Sequence, residues 1–209
     1  MNSDKGTVFV VDDDAAVRRS LGRLLNAVGY CVETCDSAQA FLRRARGEGP
    51  ACLILDVAMP GMNGMELQQV LAESDTGLPI VFLTGHGDVP MSVKAMKSGA
   101  VDFFPKPVDA PKLLEAVRVA MSRQRDAQKS RSEKDDVRRR LARLTPRERE
   151  VLKHVVAGKL NKQIGADLGI GEKTVKVHRG RVMKKMEVRS LADLVRLAEK
   201  AGLRLSPTA

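Results

Sequence analysis

Five residues at four points along the chain could share one piece of chemistry: Asp12 and Asp13, Asp56, Thr84, and Lys106 ahead of Pro107. Each point follows a short apolar run: TVFVV before Asp12, ACLIL before Asp56, PIVFL before Thr84 and DFFP before Lys106. If those runs are parallel strands, the residues meet beyond the strands' carboxyl ends, where open α/β sheets keep their functional crevice. Three carboxylates in one crevice repel each other unless a hard divalent cation sits among them, and oxygen ligands of this kind suit Mg2+. A nearby lysine offers a second compensating charge. A single Asp-Asp pair is common on solvated helix starts, whereas a set spread over four strand ends is far more specific. Asp14 is read as the N-cap of the first helix and left out of the set.

The elements that must position these residues show in the hydrophobic periodicity. Short apolar runs alternate with helix-period segments from Thr7 to about Arg118, the pattern of a parallel sheet with crossover helices. Strands are expected at 7–12, 31–35, 51–56, 79–84 and 102–105. Segment 14–28 places Val17, Leu21, Leu24, Leu25 and Val28 on one face and ends at Gly29. A fifth helix begins near Ala110 with Leu113, Leu114, Val117 and Met121 facing inward. Strict alternation of five strands and five helices predicts an α/β, doubly wound flavodoxin-like layer over 7–121.

Residues 122–140, SRQRDAQKSRSEKDDVRRR, contain almost no apolar side chain and neither Pro nor Gly. This linker is expected to be largely helical through i,i+4 pairing, for instance Glu133 with Val137 flanked by Arg138, with a disordered tether as the alternative. Beyond it, residues 141–205 read as helices only. Thr145, Pro146 and Glu148 make an N-cap, first-position proline and capping box, and Gly158 closes that helix. A helix at 161–168, the turn Gly169-Ile170-Gly171 and a helix at 172–186 form a helix-turn-helix, followed by a last helix from about Ser190 to Ala201.

Charge is divided to match. Residues 1–122 carry 12 Lys or Arg against 15 Asp or Glu, whereas residues 123–209 carry 24 against 11. The second part should therefore meet a polyanion, with a solvated basic surface as the bland alternative. The odd set Cys31, Cys35 and Cys52 gives little support to a disulfide framework or zinc site, and all three are expected to be buried apolar residues. No run approaches the ~20 apolar residues of a membrane span. The N-terminus lacks the layout of a secretory signal, so a cytoplasmic address without membrane contact is expected.

Taken together, these motifs resemble a two-component response regulator of the FixJ/NarL subfamily with a LuxR-type output domain. VFLTGHGDVPMSVKAMKSGAVDFFPKP is especially close to FixJ-like receivers, and LTPREREVL with NKQIGADLGIGEKTVKVHRGRVMKKM matches the LuxR-type motif. The resemblance implies that Asp56 is the phosphoacceptor, attacking the phosphohistidine of a sensor histidine kinase. It implies Mg2+ held by Asp12, Asp13, Asp56 and the Ala58 carbonyl, with Thr84, Phe103 and Lys106 as the switch and a cis Lys106-Pro107 bond. His86 is a loop residue in this reading. Ala58, where some relatives carry an amide or acid, implies slow dephosphorylation.

For the output domain the resemblance implies double-stranded promoter DNA, with base edges read by Lys176 and Val177. Lys173, Arg181, Lys184 and Lys185 would position phosphates, with Thr174 and His178 also in the interface. Arg179 and Gly180 are further exposed candidates, whereas Ile164, Leu168, Val175, Val182 and Met186 are core. Leu191, Leu194, Val195 and Ala198 form a stripe for which core packing and dimerisation compete. Met91, Val93 and Lys97 would form a receiver dimer face in a phosphorylated homodimer, and RNA polymerase is a partner if the protein activates. The chain is not expected to be a metabolic enzyme. Two alternatives are a Mg2+-dependent phosphatase, against which the helix-turn-helix argues, and a phosphorylated protein-interaction module with vestigial DNA binding.

Overall fold

The computed structural model describes residues 5–44, 47, 49–74, 77–85 and 89–200. The chain divides into two compact units, Met1–Gln128 and Lys129–Ala209. In the first, strands β1 (Thr7–Val11), β2 (Cys31–Cys35), β3 (Ala51–Asp56), β4 (Ile80–Thr84) and β5 (Asp102–Pro105) form one sheet. All pairings are parallel and the order is β2-β1-β3-β4-β5. The three inner strands read as nearly continuous apolar runs because both of their faces are covered. Alternate residues serve opposite faces. Phe9, Val11, Leu53, Leu55 and Phe82 pack with Phe41 of α2 (Ala38–Leu42), Leu67 of α3 (Gly64–Glu73) and Ala95 of α4 (Val89–Lys97). Val8, Val10, Ile54, Val81 and Leu83 pack with Leu21 and Leu25 of α1 (Ala15–Ala27) and with Leu113, Val117 and Met121 of α5 (Ala110–Ala142).

β2 is an edge strand, and this corrects the reading of the cysteines. Cys35 and Cys52 are buried, but Cys31 is exposed. Burial pushes the Cys52 thiol up to about 12, so it behaves as a small apolar residue. Asp14 caps α1 as expected, its Oδ1 accepting from Ala16 N at 2.7 Å, and Asn63 with Glu66 forms a capping box on α3 that the sequence reading had not singled out.

Residues 122–140 lie within α5. Its charge pairs differ from the expected example. Val137 is buried in the core of the second unit, and the pairs are Arg138–Asp135 at 3.6 Å, Arg139–Asp136 at 3.5 Å and Arg140–Asp136 at 2.7 Å. The second unit adds α6 (Pro146–Val156), α7 (Asn161–Leu168), α8 (Glu172–Lys185) and α9 (Leu191–Lys200). Thr145 and Glu148 make the capping box on α6, with Pro146 in its first turn. Val151, Val155, Ile164, Val175, Val182, Met186, Leu194 and Ala198 form one core. Residues 201–205 and His86 lie outside the described residues.

Gly169, at φ 64°, terminates α7 in the left-handed region that glycine tolerates without a Cβ penalty. Gly165 has a different constraint, because a Cβ there would stand 2.7 Å from the Ile170 carbonyl oxygen. Gly165→Ala is expected to destabilise the second unit by about 1–3 kcal/mol despite alanine's better helix propensity. Urea unfolding followed by helix signal checks this; an unchanged or higher midpoint would show that the turn can relax.

Candidate functional site

The acidic crevice forms where the strand order reverses, between β1 and β3. Register places Val11 opposite Leu55, so the next residues, Asp12 and Asp56, emerge side by side. They are 1% and 4% exposed. Lys106 Nζ reaches both, 2.7 Å from Asp12 Oδ2 and 3.0 Å from Asp56 Oδ2. Carboxylate oxygens of Asp12, Asp13 and Asp56 lie within 4.8 Å of one another, with Asp13 exposed. Asp12 Oδ1 accepts from Asp14 N at 2.9 Å. Asp12 Oδ2 is buried and accepts no well-formed hydrogen bond among the described residues, its ion pair being with the Lys106 ammonium. Asp56 Oδ1 accepts from Ala58 N at 3.3 Å.

These contacts set the protonation balance. Burial, and behind it the Asp12 charge, push the Asp56 carboxyl up against the opposing pull of Lys106. Burial works against the Lys106 ammonium, but the two carboxylates outweigh it and hold its pKa above the usual lysine range. One ammonium thus serves two buried carboxylates and leaves charge unmet. An all-oxygen donor set whose buried carboxylates share a single ammonium suits a hard divalent cation, so the residues fit Mg2+.

Thr84 is 2% exposed at the end of β4, and its carbonyl accepts from Lys106 N at 2.7 Å. The Lys106-Pro107 bond is cis. Phe103 is half-buried, its ring 6.1 Å from that of Phe82. Ala58 is exposed beside Asp56. Two residues that sequence reasoning passed over also shape the crevice. Arg18 Nη1 donates to the carbonyls of Asp12 at 2.6 Å and Asp13 at 2.9 Å, holding the acidic loop by its backbone. A Cβ on Gly64 would stand 2.3 Å from the Asp56 carbonyl oxygen. Neither signal was available, since an arginine on a helix face and a glycine at a helix start are both ordinary.

On α8, Lys173, Thr174, Lys176, Val177, Arg181 and Lys184 are exposed, as is Gly180, where a Cβ would meet nothing within 4 Å. Three expected candidates differ. Arg179 is half-buried and donates to Asn161 Oδ1 at 2.6 Å. Lys185 is half-buried with its ammonium 2.6 Å from Glu148, whose side chain is 3% exposed. His178 is half-buried, and its Nδ1 has no hydrogen-bond partner among the described residues. In α9, Leu194 and Ala198 are core while Leu191 is exposed, so core packing takes most of that stripe. On α4, Val93 and Lys97 are exposed, whereas Met91 packs against the sheet core.

Residues 8–118 match the family described as "Response regulator receiver domain", and residues 142–198 match "Bacterial regulatory proteins, luxR family". The chain belongs to the response regulators. It is a transcriptional response regulator of the FixJ type, with a receiver and a LuxR-type DNA-binding domain. It is 45% identical over 206 residues to Nodulation protein W of Bradyrhizobium diazoefficiens, covering 99% of this chain and 91% of that protein. It is 44% identical over 199 residues to the transcriptional regulatory protein FixJ of the same organism, covering 95% and 97%. The solved structure of response regulator StyR superposes with a TM-score of 0.87 at 49% identity, covering 93% of this chain and 98% of that one. Response regulators of this kind are generally regulators and not enzymes; they imply a kinase and DNA as partners, and their receivers bind Mg2+ at an acidic pocket, here the Asp12, Asp13 and Asp56 cluster. Among the described residues, no helix is long and apolar enough to cross a membrane.

The raised Asp56 pKa has a consequence for stability. Protonation of Asp56 favours the folded state, so its charge costs nothing below the ordinary aspartate range near pH ~4 and costs increasingly as pH rises through the folded-state value. Metal-free Asp56→Asn is therefore expected to be more stable than the wild type at neutral pH, on the order of 1 kcal/mol. The gain should narrow as pH is lowered, and also with added Mg2+, which stabilises the wild type by mass action. Urea titrations across this range check it; a less stable variant at neutral pH would contradict the assignment.

Proposed function

We propose that Asp56 accepts a phosphoryl group from the phosphohistidine of a sensor histidine kinase and that this event switches DNA binding by α8. The observation that carries the reading is the pair of buried carboxylates, Asp12 and Asp56, bridged by Lys106 at the sheet's switch point. In the transfer, an Asp56 carboxylate oxygen forms the new P–O bond as the P–N bond to the kinase histidine breaks, and the electron pair returns to the imidazole. Lys106 balances charge on the phosphoryl oxygens. Asp12, Asp13, Asp56 and the Ala58 carbonyl would hold Mg2+, which neutralises charge on the in-line transition state. The new group adds about −1.5 to −2 charges and three acceptors. Thr84 then turns its hydroxyl toward the phosphoryl oxygens, and Phe103 follows into the space released beside Phe82.

The output step rests on α8. Lys176 and Val177 read base edges, Lys173, Arg181 and Lys184 position phosphates, and Thr174 and His178 complete the interface. Val93 and Lys97, with Met91 behind them, supply the receiver face of a phosphorylated homodimer. An activator of this design also meets RNA polymerase, and the protein works in the cytoplasm. Ala58, with no polar side-chain group to orient water, makes the phosphorylated state long-lived.

Acetyl phosphate with Mg2+ is expected to phosphorylate the wild type and raise its occupancy on genomic DNA footprints. Asp56→Asn should show neither effect. Equal phosphate incorporation by the variant would place the acceptor elsewhere, and Asp56-independent occupancy would remove the switch.

The ion pair between Lys185 and Glu148 separates two roles on α8. On a mixed-sequence duplex, Lys184→Gln is expected to reduce the slope of log affinity against log salt by about 0.9, the signature of one lost phosphate contact. Lys185→Met should bind more weakly with that slope unchanged, because its ammonium is already engaged. A slope reduced equally in both variants would make Lys185 a phosphate contact.

A further inference from the structure

The receiver unit also contains a cavity of about 370 Å³ at the end of the sheet opposite Asp56. It lies between α3, the segments entering β4 and β5, and α5, with Leu78, Ile80 and Val101 as apolar wall. Two buried carboxamides line it: Gln68 from α3, 4% exposed, and Gln124 from α5, 9% exposed. Gln68 Nε2 donates to the carbonyls of Ala95 at 3.3 Å and Ser98 at 3.2 Å. The Gln124 carboxamide makes no hydrogen bond among the described residues. Arg123 also lines the cavity and has no carboxylate partner among them.

The Gln124 amide is not sealed from solvent, so water or a ligand that enters the cavity completes it. The space is far larger than the ~30 Å³ share of one water and falls in the range of small-molecule sites, about 300–1,000 Å³. An apolar wall, a cation and an unpaired amide donor together have the chemistry of a receptor for an acid with an apolar body. We propose that this cavity binds a small organic carboxylate, with its acid on Arg123 and Gln124 Nε2 and its apolar body against Leu78, Ile80 and Val101.

The site also touches the switch element. Gln68 grips the C-terminal end of α4, and Ser98 and Gly99 line the cavity. A ligand bound there holds that grip in its present arrangement. By reciprocity of coupling, occupancy and Asp56 phosphorylation then oppose each other. That coupling rests on the Asp56 reading; the binding site itself does not.

The test uses the full chain, calorimetry, and cyclohexanecarboxylate beside its neutral amide as probes. The acid is expected to bind saturably and about tenfold more tightly than the amide. Gln124→Leu should weaken the acid about tenfold, and Arg123→Gln should erase the preference for acid over amide. Gln124→Glu, which keeps the shape, should reject the acid and retain the amide, so that a folding defect in the leucine variant cannot mimic the result. Asp56→Asn should bind the acid as the wild type does, and beryllofluoride should weaken binding to the wild type only. Loss of the beryllofluoride effect alone would count against the Asp56 coupling and leave the site standing. Unsaturable binding, or binding indifferent to Gln124, would mean that the cavity holds water only and would overturn the proposal.

Discussion

Two carboxylates that would repel each other are buried at neighbouring strand ends, and one ammonium stands between them. The rest of the receiver unit is arranged around this constraint. Parallel pairing of β1 and β3 forces Asp12 and Asp56 together. The backbone of the loop after β5 is hydrogen-bonded to the end of β4, which brings Lys106 within reach of both acids. Burial strengthens the Coulomb interactions, so the site is short of positive charge in its resting form. In the proposed transfer, a phosphoryl group arriving with a cation would change that balance. The cost of holding the acids together is also the source of the site's response.

The second unit depends on a steric constraint. At Gly165 the backbone of the helix-turn-helix comes so close to the Ile170 carbonyl that no side chain fits. Around that contact, Arg179 is tied to Asn161 and Lys185 to Glu148. These two cations orient α8 against its neighbours, while Lys173, Lys176, Arg181 and Lys184 face outward. A recognition helix needs both kinds of cation: tethered ones to fix its pose and free ones to meet phosphates.

Much of this was readable before any coordinates. All five strands and the caps at Asp14 and Thr145 followed from periodicity and capping chemistry, because both are local rules. The acidic set followed from residue types at strand ends. Misreadings arose where a residue's surroundings come from distant sequence. Cys31 looked apolar and internal, but β2 is an edge strand. Val137 lay in a charged run, but it completes the core of the second unit. Lys185 resembled its neighbours, but it meets a carboxylate 37 positions away.

The positions of the strands along the chain, the periodicity of the helices, the acids, threonine and lysine at the strand ends, and the basic charge of the second unit were determined by the sequence alone, since each depends on near neighbours or on a repeating pattern. Only the tertiary structure decided the order of the strands in the sheet, which cations remain free, which acids share one ammonium, and where Gly64 and Gly165 leave room for a backbone. Those properties depend on distances between atoms far apart in the chain, set by how the layers pack.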